Sequence, residues 1–224
     1  MTRVCVVCGG AATGRAVPGL CAGCLDDLPR IRSSCGRCGL PAPAEIAQCA
    51  ACLRQPPVFD ACVAPFPYRF PIDAMICRFK FHGDLASAAM LGSLFTRAQE
   101  SRGSVECLFP VPLHWRRLVG RGYNQSAELA RVIGREFGVP VEVLNQRRPK
   151  NTAPQMLLSG KERRQNLRRA FELARPVPYR HVAIVDDVVT TAHTANMLAA
   201  VLKSAGAVRV DVWAIARAEP PGSR

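Results

Sequence analysis

Ile184-Val185-Asp186-Asp187-Val188-Val189-Thr190-Thr191-Ala192-His193-Thr194 is the stretch that decides how this 224-residue chain is read. An apolar strand over His181–Asp186 runs through a turn into a helix over Ala195–Lys203, which Gly206 closes. Two adjacent carboxylates at a strand end are costly to bury unless they meet hydroxyls or a metal. Small hydroxyl residues then arrive at a helix N-terminus, where free N–H groups and the helix dipole favour a phosphate. Carboxylates for sugar hydroxyls beside a phosphate cup describe a site for a phosphorylated ribose. The other reading of these residues is a pair of capping acids followed by Thr N-caps.

Strands and helices alternate on either side of this segment. Ala61–Tyr68 reads as an entering strand, and Pro71–Phe81 as a helix with Ile72, Met75, Ile76 and Phe79 on one face. A second helix covers Leu85–Gln99, and Cys107–Leu113 is a short apolar strand broken by prolines. Ser126–Phe137 is an amphipathic helix, Val141–Leu144 a strand, and Val208–Ala216 the last strand. This order predicts an α/β fold with a mostly parallel, doubly wound sheet, whose ligand sits at the carboxyl ends of the strands.

The N-terminal quarter differs in composition. Residues 1–60 hold eight of the eleven cysteines and six of the thirty basic residues. The cysteines form four Cys-x2-Cys knuckles: Cys5/Cys8, Cys21/Cys24, Cys35/Cys38 and Cys49/Cys52. Each knuckle turns two thiolates toward one tetrahedral ion, so eight ligands predict two structural zinc ions with no open coordination position. Local pairing would make two ribbons in series, and crossed pairing is the alternative. A disulfide framework would need an oxidising compartment, and a redox dithiol would be a single knuckle beside a βαβ unit. Cys62, Cys77 and Cys107 stand in apolar surroundings and are expected in the core. Pro56-Pro57 suits a linker, which divides the chain into a double zinc ribbon over 1–57 and a larger domain over 58–224. The ribbon has too few apolar residues to fold without its metal.

A hydrophobic content of 49% excludes a disordered chain, and no apolar run approaches the roughly 18–20 residues that span a bilayer. The start reads poorly as an export signal, so the expectation is a cytoplasmic protein without membrane insertion. The formal charge of +13 is concentrated in places. Residues 147–169 carry Arg147, Arg148, Lys150, Lys161, Arg163, Arg164, Arg168 and Arg169 against Glu162 alone.

The segment from Ile184 to Thr194 resembles the phosphoribosyl pyrophosphate (PRPP) motif of type I phosphoribosyltransferases. The wider chain is similar to the ComF family, including ComFC and GntX-like proteins. The matching pieces are the four knuckles, Arg78-Phe-Lys-Phe-His-Gly83, Pro110-Val-Pro-Leu113, Arg121-Gly-Tyr-Asn-Gln125, Thr152-Ala-Pro-Gln155 with Leu158-Ser159, Arg163 to Leu167, and Val185-Asp-Asp-Val-Val-Thr-Thr191. The resemblance implies that Asp186 and Asp187 hold the ribose hydroxyls, partly through Mg²⁺. It implies that Thr190, Thr191, Ala192, His193 and Thr194 wrap the 5-phosphate. Arg116, Arg117 and Arg121 would meet pyrophosphate, and residues 147–169, with Lys150, Arg163 and Arg164, correspond to a hood over the site. The phosphate loop departs from the family pattern, with Ala192 where glycine is usual. If that position needs a positive φ, alanine costs roughly 1–2 kcal/mol. His193 either faces the phosphate or is a solvated helix-start residue.

Two functions follow from the resemblance. The first is a competence protein that binds PRPP with Mg²⁺ and single-stranded DNA and works beside the DNA-uptake machinery. The second is an active phosphoribosyltransferase that releases pyrophosphate on transfer to an unidentified acceptor. The excess of cations suits a groove that tracks a nucleic-acid backbone. Trp115, Tyr123, Phe79 and Phe81 are candidates for base stacking, with core packing the stronger reading for Phe79 and Phe81.

Overall fold

The computed structural model describes residues 4–12, 17–81, 85–113, 122–142 and 177–219. Its first part is a tandem repeat in which Cys5 and Cys8 recur 30 residues on as Cys35 and Cys38, and Cys21 and Cys24 recur 28 residues on as Cys49 and Cys52. In the first ribbon Cys5 N–H donates to Gly10 O (2.7 Å), and Gly9, at φ 74°, closes the knuckle. In the second, Cys35 N–H donates to Leu40 O (2.9 Å) and Gly39 closes the turn at φ 71°. The other knuckle of each ribbon opens a single helical turn: α1 (Ala22–Asp26) behind Cys21, and α2 (Ala50–Arg54) behind Cys49.

The rest is a parallel sheet with helices on both faces. β1 (Ala61–Val63) and β2 (Phe66–Pro67) lie one after the other along the edge of β5 (Arg209–Arg217). β5 pairs with β4 (His181–Val189), and β4 with β3 (Cys107–Pro110). Every pairing is parallel. Val141 adds a parallel bridge to Leu108, and the rest of the strand expected over Val141–Leu144, from residue 143 onward, lies outside the described residues.

Side chains alternate through the sheet with period two. Ala183, Val185, Trp213 and Ile215 face α3 (Ile72–Phe81), α4 (Leu85–Gln99) and α5 (Gln125–Phe137). Val182, Ile184, Val210 and Val212 face α6 (His193–Ser204). Trp213 is 1% exposed and packs between Phe95 and Phe137, with ring centroids 5.5 and 5.8 Å away. The first ribbon joins the larger core through Val17, Leu20, Leu25 and Leu28, whereas the second has a core of cysteines and Leu40.

Two helix contacts leave no room for a side chain. A Cβ on Gly92 of α4 would lie 2.5 Å from Val132 Cγ1, and one on Gly134 of α5 would lie 2.6 Å from Val139 O. The backbone oxygen cannot rotate away, so Gly134→Ala is expected to cost about 1–3 kcal/mol despite alanine's better helix propensity. A lower urea midpoint at unchanged slope would show this.

Three expectations change. Ala61–Tyr68 is two short strands, interrupted before Phe66. β4 runs on to Val189, because Asp186 and Val188 continue the ladder opposite Ala214 and Ala216, so the acid pair lies in the strand and not in the loop after it. Cys62 and Cys107 are buried, but Cys77 is exposed, because Ile72, Met75, Ile76 and Phe79 take the core face of α3.

Candidate metal centres and ribose-phosphate site

The cysteines gather by local pairing. Cys5, Cys8, Cys21 and Cys24 form one group, and Cys35, Cys38, Cys49 and Cys52 the other. Within each group the sulfurs lie within 4.8 Å of one another. Cys8 and Cys21 Sγ are 3.7 Å apart, and Cys38 and Cys49 Sγ are 3.8 Å apart. A tetrahedron with Zn–S bonds of about 2.3 Å has edges of about 3.8 Å, against about 2.05 Å for a disulfide. The donor set therefore fits zinc and excludes cystine at these positions. The backbone N–H of Cys52 helps draw the Cys49 thiol down to about 7, while burial and the neighbouring Cys38 push Cys52 up. Four such sulfurs ionise together only around a cation.

The second site stands at the carboxyl ends of the strands. Asp187 is 8% exposed and accepts a 2.9 Å ion pair from Lys80 Nζ at the end of α3. Asp186 Oδ1 accepts from Ser126 Oγ (3.1 Å) and from Asp187 N–H (2.9 Å). Ser126 is placed there by the start of α5, where Asn124 Oδ1 caps the N–H groups of Ser126 and Ala127 and Asn124 Nδ2 donates to Val111 O (3.1 Å). Tyr123 donates its hydroxyl proton to Phe79 O and packs tilted against the Phe79 ring, which is fully buried. Phe79 is thus a core residue, and the segment Gly122-Tyr-Asn-Gln125 brings α5 to the acid pair. Gln125 beside it is 3% exposed, and its Nε2 has no partner among the described residues.

Burial and the adjacent Asp187 charge push Asp186 up to about 7. The folded state thus binds a proton more tightly than the unfolded chain, whose aspartates titrate near 4. This group's contribution to stability is present below about pH 4 and is lost as pH rises toward 7. Asp186→Asn keeps the acceptor for Ser126 and removes the crowded charge. It is expected to raise the ligand-free melting temperature at pH 8 by roughly 2–6 °C, a gain that shrinks below pH 5.

Beyond the acid pair, Thr190, Thr191, His193 and Thr194 are exposed. Ala192 adopts φ 58°, ψ 10°, the left-handed conformation in which a glycine would be unstrained. His193 and Thr194 belong to the first turn of α6 and not to the loop, and no side chain caps this helix. Its first N–H groups point to the same end of the sheet as the carboxylates. The structure thus brings Asp186, Asp187 and residues 190–194 together. Arg116, Arg117, Arg121, Lys150, Arg163, Arg164 and Trp115 lie outside the described residues, as does the whole 147–169 stretch. Lys80 was not anticipated as a site residue: it lies in the Arg78–Gly83 segment that carries part of the family resemblance, but its neighbour Phe79 marks the helix as a core element, and only tertiary placement brings the lysine to the acid pair.

Fold and cysteine groups together define a mostly parallel α/β domain carrying a double four-cysteine ribbon. No family model matches the chain. It is 36% identical over 209 residues to competence protein F of Haemophilus influenzae, covering 89% of this chain and 91% of that protein. It is 35% identical over 205 residues to DNA utilization protein YhgH of Escherichia coli K12 and of Salmonella typhimurium, covering 89% of this chain and 90% of each. The chain belongs to the competence protein F (ComF) family.

Proposed function

We propose that this protein binds PRPP with Mg²⁺ at the carboxyl edge of its sheet and handles single-stranded DNA in the cytoplasm during DNA uptake. The observation that carries this reading is the paired Asp186 and Asp187 standing beside the uncapped N-terminus of α6. Two carboxylates suit ribose hydroxyls and a hard cation, and free helix N–H groups suit a phosphate. Asp186 and Asp187 would hold Mg²⁺, which when bound supplies charge for the pyrophosphate oxygens. Thr190, Thr191, Ala192, His193 and Thr194 would cradle the 5-phosphate. Lys80 neutralises Asp187 in the free protein and would turn toward pyrophosphate when a cation takes over that role. Arg116, Arg117, Arg121, Lys150, Arg163 and Arg164 would meet pyrophosphate or the DNA backbone. Two zinc ions would hold the ribbons.

The names of the relatives, competence protein F and DNA utilization protein, support a role in taking up or using DNA. Among the described residues no helix is long and apolar enough to cross a membrane. Phe70, 71% exposed, follows β2 and lies before α3, and offers an aromatic face for a base. Affinity for a single-stranded oligonucleotide is expected to fall about a thousandfold between 50 and 200 mM salt. Phe70→Ala is expected to weaken it by about fivefold to tenfold at fixed salt. Fluorescence anisotropy measures both; a flat salt response would remove phosphate contacts as the source of binding. Pyrophosphate release over a panel of bases and amines separates a PRPP-binding protein from a transferase.

A further inference from the structure

The last residue of β5 is a buried cation held by backbone carbonyls. Arg217 is 4% exposed, and among the described residues no carboxylate lies within ion-pair distance of it. A guanidinium taken out of water is costly unless each N–H finds an acceptor. Arg217 meets that cost with backbone carbonyls. Nε donates to Cys38 O (2.8 Å), and Nη1 to Val189 O (2.8 Å), Thr190 O (2.5 Å) and Ala218 O (2.8 Å). Cys38 is a ligand of the second cysteine group. Val189 and Thr190 lead into the left-handed turn at Ala192 from which α6 starts. One planar group therefore joins the second metal centre to the phosphate loop.

Two further ties run the same way. Asn196, in the first turn of α6, accepts at Oδ1 from Val58 N–H (2.7 Å), just beyond the second ribbon. Arg37, between Cys35 and Cys38, donates to Pro57 O (2.9 Å) and Asp60 O (3.2 Å), and the Asp60 carboxylate holds Lys203 Nζ (2.8 Å) near the far end of α6. Among the described residues the first ribbon has no such link; its Val17, Leu20 and Leu25 pack into the core on the opposite face of the sheet.

We infer that Arg217 is a positioning residue through which the second four-cysteine centre holds the phosphate loop in its binding conformation, while the first centre serves the core alone. The inference takes its functional meaning from the reading of this loop as a phosphate cradle. Metal held by Cys38 fixes the Cys38 carbonyl, that carbonyl orients the guanidinium, and the guanidinium fixes the carbonyls of Val189 and Thr190. Losing the second metal releases the chain of contacts at its origin and frees the start of α6.

Hydrogen exchange on the full-length, ligand-free protein tests this, with zinc counted in the same samples. Cys49→Ser/Cys52→Ser removes the second centre without touching Arg217, and Cys8→Ser/Cys21→Ser removes the first. The amides of residues 196–199, the first to donate within α6 (Asn196 N–H to Ala192 O, 2.9 Å), are expected to exchange about tenfold faster in the first variant and within about twofold of the parent in the second. Arg217→Gln is expected to speed the same amides while retaining two zinc ions. Equal acceleration in both cysteine variants, or none after loss of the second zinc, overturns the inference. Should Arg217→Gln also lose protection over His181–Val185, it has unfolded, and the cysteine pair decides alone. PRPP titration of the same samples is read separately. If the parent fails to bind PRPP, the cradle reading falls, and the exchange result still decides the coupling.

Discussion

Replacing Asp187 with Ala is expected to lower affinity for PRPP in the presence of Mg²⁺ by at least about a hundredfold, or about 2.7 kcal/mol. Asp187 is the more buried acid of the pair and the one that Lys80 grips. Its loss removes a ligand for the cation and leaves Lys80 without its carboxylate, so cation and sugar hydroxyls lose the same anchor. Asp187→Asn keeps the shape, and an equal loss there assigns the effect to charge and not to packing. The fold tolerates both changes, because β4 is held by its ladders to β3 and β5 on either side. DNA affinity is expected to stay within about twofold in both variants if the nucleic acid is held by the basic residues and not by the acid pair. Calorimetry for PRPP and anisotropy for DNA check the two halves.

Stripping the metal is expected to have the largest effect on stability. Structural zinc sites carry on the order of 10 kcal/mol or more of apparent binding free energy, and ribbons of this size have little else to fold on. The second ribbon's core is three buried cysteines with Leu40 and Cys49 against them. The first lends Val17, Leu20, Leu25 and Leu28 to the core shared with Leu91, Leu94 and Trp213, so its unfolding reaches the larger domain. At about 1.5–3 kcal/mol for each buried aliphatic side chain, losing that contact is expected to lower the melting temperature by more than about 10 °C. Calorimetry with and without a strong chelator, on protein shown to hold two zinc ions per chain, measures it. A metal-free protein melting at the parent's temperature would contradict the zinc reading.

Features set by short-range chemistry were legible in the sequence. Cys-x2-Cys spacing is a local constraint, and the two centres assemble from neighbouring knuckles. The helix over Leu85–Gln99 follows its apolar periodicity, and α5 its amphipathic stripe from an Asn cap to a left-handed Gly138. The alternation of strands and helices gave the parallel sheet. What escaped depends on tertiary placement. Asp186 and Asp187 break the apolar run after Val185, yet β4 continues through Val188 and Val189 because β5 supplies partners as far as Arg217. Cys77 sits in an apolar run but on the outer face of its helix. Lys80, although inside the Arg78–Gly83 motif, and Arg217 carry no local mark of their partners. One looks like a surface lysine at a helix end and the other like a terminal strand residue, and only the folded chain brings them to Asp187 and to Cys38. The left-handed Ala192 lies between: the sequence showed an alanine where glycine is usual, and the backbone shows the strained conformation kept.

In the function proposed above, Asp186, Asp187 and the start of α6 form a PRPP site. Isothermal titration of PRPP into the zinc-loaded protein, with Mg²⁺ and then with EDTA-free buffer lacking Mg²⁺, tests it most directly. The account predicts one PRPP per chain, binding that weakens without Mg²⁺ and is lost in Asp187→Ala. A parent protein that takes up no PRPP, or an Asp187→Ala variant that binds it as tightly as the parent, would contradict it.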